Sequence, residues 1–257
     1  MSDDAHTGTA ALIIGGTQGL GLAIAERLMA EGCRNLVIAG RDEVRGQRAA
    51  DALGARYLPV DLADAAAVGA LVDRAAGAMG RVNALVNAGA LTDRGSILDT
   101  TPALWDAMLA TNARGPFFAL QRVAQRAIDA GHPAAIVNIL SMVVHCGQSF
   151  LAPYSASKAA LANVTRNAAQ ALRSHRIRVN AINCGWMDTP GEDAVQRRHH
   201  GADDGWLERA EAAQPFGMLV KPAHVAGLAS YLLSAQSGVM TGAIVDFDQN
   251  VAGAYPE

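Results

Sequence analysis

The feature of this chain that most constrains its fold is an alternation of two hydrophobic patterns. Short apolar runs of strand length recur between longer amphipathic stretches with helical periodicity. Several runs are apolar on both faces, which is typical of parallel strands covered by helices on each side. The pattern therefore predicts an α/β protein with a doubly wound parallel β-sheet. The seven predicted strands are residues 10–14, 36–39, 57–60, 84–86, 135–140, 179–182 and 243–245.

Helical patterns fill the intervals between these strands. No linker, repeat or low-complexity stretch divides the 257 residues, so we expect residues 1–257 to form a single domain. Residues 190–215 are polar and long for a connection, and we expect them to form a lid over a ligand site. The predicted helices are residues 20–30, 44–53, 65–79, 103–130 with a break near Gly115 and Pro116, 154–174 and 223–233.

Composition excludes several classes of partner. Lys and Arg number 21 against 24 for Asp and Glu, so the chain lacks the basic surface of a nucleic-acid-binding protein. No apolar run approaches the roughly 18 residues of a membrane span, and the acidic N-terminus has no signal-peptide pattern. We therefore expect a cytoplasmic protein with no nucleic-acid or membrane partner. Cys33, Cys146 and Cys184 show no disulfide or metal-ligand spacing, so we predict no metal site and interpret them as core or pocket thiols.

A glycine-rich turn joins the first predicted strand to the first predicted helix. Gly15, Gly19 and Gly21 allow a tight turn and a close approach of a pyrophosphate to the backbone. The following helix N-terminus offers unpaired N–H groups and a partial positive charge. This arrangement predicts a Rossmann-like dinucleotide site.

The end of the second predicted strand bears on the choice of dinucleotide. Sites that prefer NAD place an acidic residue about 20 positions after the glycines, and this chain has Gly40 there, followed by Arg41. A guanidinium can clamp a 2′-phosphate, so Arg41 favours NADP(H). Asp42 could still reach a ribose hydroxyl, which keeps NAD(H) as the alternative.

Tyr154 and Lys158 lie one helical turn apart, a spacing suited to proton transfer. A tyrosine with a pKa of about 10 needs about 2.7–4 kcal/mol to act as a base at neutral pH. A cation ~4 Å away supplies about 4 kcal/mol at an effective dielectric constant of about 20, so we expect Lys158 to lower the pKa of Tyr154. Ser141 ends the fifth predicted strand, at the edge where such sheets bind ligands, and Asn112 interrupts a helical pattern and predicts a kink or a water site.

Together these motifs resemble the short-chain dehydrogenase/reductase (SDR) superfamily in its single-domain branch. The resemblance implies hydride transfer between a nicotinamide and a secondary alcohol or ketone, with Tyr154 as general acid/base and Lys158 lowering its pKa and binding the nicotinamide ribose. It also implies that Ser141 positions the substrate oxygen and Asn112 holds a water. The cofactor-binding residues that it implies are Gly15, Thr17, Gln18, Gly19, Leu20, Gly21, Arg41, Asp61, Leu62, Asn87, Ala88, Gly89, Tyr154, Lys158, Gly185, Met187 and Thr189.

Polar residues around the expected pocket favour a small hydroxylated substrate such as a sugar or polyol. The residues predicted to bind the substrate are Ser141, Val143, Gln148, Tyr154 and Trp186, with Arg94, His145, His199, His200 and Trp206 as further pocket candidates. One alternative is a 3-oxoacyl thioester (acyl-carrier-protein) reductase. The alternative from another class is a dinucleotide-sensing regulatory protein without turnover.

Two further predictions concern assembly and the C-terminus. The helical patterns at 103–130 and 154–174 are rich in alanine, which favours close helix packing and predicts a homo-oligomer, most simply a tetramer. The segment after Asp248 has Gln249 and Asn250 where the family usually has glycines. We expect these amides to suit a polyhydroxylated ligand, and the tail with Val251 and Tyr255 to help close the active site.

Overall fold

Seven parallel strands form one sheet with the order β3-β2-β1-β4-β5-β6-β7. The computed structural model describes residues 4–145 and 147–254. Every predicted strand is present, and its bounds agree with the prediction to within two residues at each end. The strands are β1 (Ala10–Ile14), β2 (Asn35–Gly40), β3 (Arg56–Pro59), β4 (Ala84–Asn87), β5 (Ala134–Ser141), β6 (Ile177–Cys184) and β7 (Ile244–Phe247).

Helices cover both faces of this sheet, as the two-sided apolar strands predict. They are α1 (Gly19–Ala30), α2 (Glu43–Leu53), α3 (Ala65–Met79), α4 (Pro102–Leu109), α5 (Gly115–Asp129), α6 (Ala152–Leu172), α7 (Pro190–His200), α8 (Trp206–Ala212) and α9 (Pro222–Leu233). Helices α1, α2 and α9 pack with Ile13 and Ile38 on one face. Helices α3, α5 and α6 pack with Leu12 and Leu85 on the other. The doubly wound α/β fold is thereby confirmed.

The helix predicted at 103–130 is interrupted just before Gly115. A π-helical turn at Ala110–Arg114 separates α4 from α5, and it contains the fully buried Asn112. The side-chain oxygen of Asn112 accepts a hydrogen bond from Leu91 N at 2.7 Å, and its nitrogen donates to Leu91 O at 2.9 Å. This pairing with a neighbouring loop holds the turn open, so the predicted kink is confirmed.

The predicted lid contains α7 and α8, which are joined by polar contacts. Trp206 Nε1 donates to Asp193 Oδ1 at 2.7 Å, and Arg197 forms an ion pair with the same carboxylate at 2.9 Å. Asp93, in the loop between β4 and α4, forms ion pairs with Arg198 at 3.3 Å and His199 at 3.4 Å. The lid is therefore fastened to a loop that follows the fourth strand.

The C-terminal segment contacts the loop that follows α8, just beyond the predicted lid. Gln249 Oε1 accepts from Phe216 N at 2.9 Å, and Gln249 Nε2 donates to Met218 O at 2.8 Å. Both ends of the amide are thus engaged by the backbone, so the expectation that Gln249 faces a ligand is wrong. Val251 is 77% exposed, and Tyr255 lies outside the described residues.

The cysteines and possible metal ligands add no further centre to the described part of the chain. Cys33 and Cys184 are free and buried, and Cys146 lies outside the described residues. Within residues 4–145 and 147–254, no three His, Cys, Asp or Glu side chains come together in a way that could hold a metal ion. Within the same residues, no helix is both long and apolar enough to cross a membrane.

Candidate active site

The carboxyl ends of the central strands bring the predicted site residues to one edge of the sheet. Ile14, at the end of β1, pairs with Asn87 of β4, and Ser141 of β5 pairs with Cys184 of β6. In open α/β sheets, ligands bind in the crevice beyond this edge.

A cleft of about 330 Å³ lies beside this edge, within the usual size range of ligand pockets. Predicted cofactor residues that line it are Gly15, Thr17, Gln18, Gly19, Leu20, Gly21, Arg41, Asp61, Leu62, Ala88, Gly89 and Thr189. The others, which are Asn87, Tyr154, Lys158, Gly185 and Met187, are not part of its lining. Asn87 instead faces the interior, where its amide donates to Asn138 Oδ1 at 2.8 Å.

The glycine turn is tight enough to exclude larger residues. Gly15 has a φ of +86°, and a Cβ there would lie 2.3 Å from Gly89 N. A Cβ on Gly21 would lie 2.1 Å from Gly15 O. Unlike α2, α3, α4 and α7, helix α1 has no side-chain hydrogen bond at its N-cap. Its first-turn N–H groups therefore face the cleft uncapped, which fits the pyrophosphate of a dinucleotide.

The part of the cleft beside Thr17 and Gln18 contains two arginines, Arg41 and Arg45. A Cβ on Gly40 would lie 3.0 Å from Thr17 Cγ2, so an acidic side chain there would crowd Thr17. Asp42 caps α2 by accepting from Arg45 N at 2.9 Å, and its other oxygen pairs with Arg45 Nη2 at 3.1 Å. Arg45 also donates to Gln18 Oε1. The exposed Arg41 also lines this part of the cleft, so two guanidinium groups stand beside Asp42 there.

Four further polar residues line the cleft, although they were not predicted from the sequence to bind the cofactor: Arg45, Thr92, Thr111 and Glu192. Two of these residues had a local signal. Arg45 lies one helical turn after Arg41, in the first turn of α2. Glu192 is the last residue of a Thr-x-x-Glu capping pattern, in which Thr189 Oγ1 accepts from Glu192 N at 3.1 Å.

Ser141, Tyr154 and Lys158 converge where β5 meets the start of α6. The Ser141 side chain lies close enough to Tyr154 to lower the pKa of the phenol. Lys158 is 3% exposed, and its Nζ donates to Ile139 O at 2.9 Å and lies 5.7 Å from the centroid of the Tyr154 ring. The predicted one-turn relation between phenol and ammonium is therefore present.

Burial shifts the pKa values of these two groups in opposite directions. Loss of solvent raises the pKa of Tyr154, and the Ser141 side chain opposes that rise. Loss of solvent also lowers the pKa of Lys158 from 10.5 to about 8. Lys158 was expected to lower the pKa of Tyr154, but desolvation of the phenolate dominates and the net shift is upward. The Lys158 ammonium is bonded to Ile139 O. Tyr154 keeps its proton at neutral pH.

Asn112 is linked to the start of α6 through Ser157. Its Nδ2 donates to Ser157 Oγ at 3.0 Å, and Ser157 Oγ in turn donates to Tyr154 O at 2.7 Å. Asn112 thus braces the start of α6, whose first two turns carry Tyr154 and Lys158.

The predicted substrate residues are only partly brought together. Val143 lies in the 3-10 turn that directly follows Ser141. Trp186 is 40% exposed, and its Nε1 donates to Glu192 Oε1 at 2.8 Å. Gln148 is exposed, and no side-chain hydrogen bond in the described residues joins it to Ser141 or Tyr154.

The further pocket candidates separate into two groups. His145 is bonded to Asp246 at 2.9 Å and to Asn183 at 3.0 Å, so its ring is held against β6 and β7. Trp206 is buried between the lid helices. Arg94 and His200 instead meet each other at 3.1 Å across the mouth of the site.

Comparisons with known proteins identify the family of this chain. The family model described as enoyl-(acyl carrier protein) reductase matches residues 15–250. An NADP-dependent (R)-specific alcohol dehydrogenase from Lentilactobacillus kefiri is 33% identical, covering 93% of this chain and 95% of the relative. Galactitol 2-dehydrogenase from Agrobacterium fabrum is 34% identical, covering 88% of this chain and 91% of the relative.

A solved structure described as a short chain dehydrogenase/reductase family protein superposes with a TM-score of 0.83 and 31% identity. The alignment covers 96% of this chain and 97% of that one. The chain belongs to the short-chain dehydrogenase/reductase family, whose members are NAD(P)-dependent oxidoreductases.

Proposed function

We propose that this protein catalyses NADP(H)-dependent, reversible hydride transfer at a secondary alcohol or ketone of a small hydroxylated compound, such as a sugar or polyol. The observation that carries the proposal is the convergence of Ser141, Tyr154 and Lys158 at the sheet edge beside the glycine cleft, with Lys158 Nζ 5.7 Å from the centroid of the Tyr154 ring.

The residues of the chain divide the work of proton transfer between them. The bound nicotinamide supplies or accepts the hydride. In the reducing direction, Ser141 donates a hydrogen bond to the substrate carbonyl oxygen, and Tyr154 transfers its proton to that oxygen. The raised pKa of Tyr154 suits this step, because the group enters the reaction protonated. Lys158, a cation below about pH 8, stabilises the phenolate that remains.

NADP(H) is the proposed cofactor, with Arg41 and Arg45 holding the 2′-phosphate. Two observations support this choice over NAD(H). Asp42 is occupied in capping α2, and a Cβ at position 40 would lie only 3.0 Å from Thr17 Cγ2. The Lentilactobacillus kefiri relative is also NADP-dependent by name.

The cofactor proposal predicts a selective loss in a double variant. Arg41→Ala with Arg45→Ala should raise the Kd for NADPH about tenfold or more, since hydrogen bonds to charged groups contribute about 1.5–3 kcal/mol each. The Kd for NADH should stay nearly constant. Fluorescence titration of both cofactors measures this, with Arg48→Ala as a control, since Arg48 is an exposed residue of α2 that does not line the cleft. Equal losses for both cofactors, or a wild-type preference for NADH, would contradict it.

The names of the relatives support an alcohol or polyol substrate. The matches include an alcohol dehydrogenase and a galactitol dehydrogenase. The alternative of a 3-oxoacyl thioester reductase has less support. A regulatory protein without turnover would not need Asn112, Ser141, Tyr154 and Lys158 together. Helices α7 and α8 act in this proposal as the lid over the substrate.

Steady-state assays test the proposed reaction directly. We expect NADP⁺ reduction with members of a panel of sugar alcohols and simple secondary alcohols, and slower NADPH oxidation with 3-oxoacyl thioesters. Absence of turnover with every alcohol, with either cofactor, would overturn the proposal.

A further inference from the structure

Arg94 connects three segments that surround the substrate side of the cleft. It belongs to the loop between β4 and α4, and its side chain is only 15% exposed. Its Nε donates to His200 Nε2 at 3.1 Å on α7, and its Nη1 donates to Thr92 O at 2.9 Å. The guanidinium lies 5.5 Å from the centroid of the Phe150 ring, in the loop between β5 and α6.

Glu192 faces this guanidinium from the first turn of α7. Its side chain is 18% exposed, and its Oε1 accepts from Trp186 Nε1 at 2.8 Å and from Gln196 Nε2 at 2.7 Å. The nearest approach to Arg94 is 3.9 Å, between Oε1 and Nη2, which is too long for a hydrogen bond. Among the described residues, Arg94 Nη2 and Glu192 Oε2 therefore have no hydrogen-bond partner.

The pair lies close to the reacting groups. Glu192 lines the cofactor cleft. The charge of Glu192 raises the pKa of Tyr154, and the charge of Arg94 lowers it, so both charges act on the phenol. Two oppositely charged, largely buried groups with unused hydrogen-bonding capacity thus stand beside the proposed reaction centre.

The space between the Arg94 guanidinium and the Glu192 carboxylate favours some substrate groups over others. A hydroxyl can accept from a guanidinium and donate to a carboxylate at the same time. An apolar group would displace water from both charged groups without replacing its hydrogen bonds, at a cost in binding. A carboxylate would gain from Arg94 but would be repelled by Glu192.

We propose that Arg94 and Glu192 together bind a second hydroxyl group of the substrate, distinct from the hydroxyl that reacts. The pair thereby selects a neutral compound with at least two hydroxyls over a simple secondary alcohol or a hydroxy acid. This inference rests on the proposed function, because it names the substrate class of the same site.

The test compares kcat/KM for three matched compounds: the best polyol of the panel, a secondary alcohol of equal carbon number with one hydroxyl, and the corresponding hydroxy acid. Wild type should prefer the polyol to both. Arg94→Met and Glu192→Gln should each lower kcat/KM for the polyol about 10- to 100-fold, as expected for a lost hydrogen bond to a charged group. The value for the simple alcohol should fall less than that for the polyol, since the simple alcohol has no second hydroxyl for the pair to bind, so the polyol-to-alcohol ratio of kcat/KM should fall at least about fivefold.

The ratio of the two values for one preparation separates recognition from folding. A general defect lowers both values together and leaves the ratio unchanged. Arg198→Met and Glu208→Gln are the matched controls, because both are exposed and neither lines the cleft. Their ratios should equal that of wild type.

Three outcomes would overturn the inference while the proposed function stands. They are a wild type that turns over simple alcohols as well as polyols, Arg94 and Glu192 variants that lose both activities equally, and a hydroxy acid as the best substrate. Absence of turnover with every alcohol would instead overturn the proposed function itself, and with it this inference.

Discussion

At the residue scale, burial shifts the pKa values of Tyr154 and Lys158 in opposite directions. Tyr154 and Lys158 share a desolvated environment, which disfavours the charged form of each. The pKa of the phenol rises and that of the ammonium falls. The site therefore holds a protonated tyrosine beside a lysine that can lose its charge slightly above neutral pH.

The lysine composition makes this pKa directly measurable. The chain contains only two lysines, Lys158 and Lys221. In protein labelled with ¹³C at lysine Cε, we expect Lys158 to titrate near pH 8, charged below and neutral above. Lys221 is paired with Asp188 and Glu211, which raise its pKa, so it should stay charged through that range and serve as an internal control. Two signals that titrate together above pH 10 would contradict the account.

The sequence predicts the reacting residues better than their surroundings. Tyr154 and Lys158 can be predicted because helical periodicity places them one turn apart. Ser141 can be predicted because it ends a strand. Arg94 and Glu192 come from segments far apart in the chain, so only the fold reveals that they face each other. The pKa of Tyr154 was predicted in the wrong direction, because charge spacing can be read from sequence while desolvation cannot.

At the element scale, the turn between β1 and α1 depends on backbone approach. The N-terminus of α1 can face a dinucleotide only because Gly21 lets the helix start directly against Gly15. This position tolerates no Cβ without a shift of backbone.

Two glycine-to-alanine substitutions should therefore change the free energy of unfolding in opposite directions. Gly21→Ala places a Cβ 2.1 Å from a carbonyl oxygen, and should destabilise the protein by about 1–3 kcal/mol and weaken NADPH binding. Gly69→Ala, in the interior of α3, meets nothing within 4 Å and should stabilise by up to about 1 kcal/mol through helix propensity. Chemical denaturation and cofactor titration measure both effects. A Gly21 variant as stable as wild type would show that the turn has more room than described.

Most elements are predictable because their signals are local. The apolar runs and the helical periodicity give all seven strands, and the break in the helix at 103–130 is confirmed at Ala110–Arg114. The polar segment after Thr189 carries no strong apolar period, so the boundaries of α7 and α8 are set by contacts such as that of Trp206 with Asp193. Hydrophobic periodicity in the sequence does not predict which residues make those contacts.

At the scale of the whole molecule, exposed apolar side chains support the proposed homotetramer. Trp105 on α4 and Phe117 on α5 are 44% and 38% exposed, and Val239 before β7 is 94% exposed. Burying such groups between subunits would be favourable. Light scattering at micromolar concentration should give about four times the 26.6 kDa chain mass. A monomer mass would contradict this assembly.

The central claim is that Tyr154 transfers the proton in a nicotinamide-dependent reaction, and the kinetics of Tyr154→Phe test it most directly. The variant removes one hydroxyl group, and Tyr154 does not line the cofactor cleft. The Kd for NADPH should therefore stay within about twofold of the wild-type value. Loss of a general acid/base typically costs about 10²–10⁴ in rate, and we predict a fall in kcat of at least that lower bound with the best alcohol of the panel. Turnover close to wild type, with intact cofactor binding, would contradict the account.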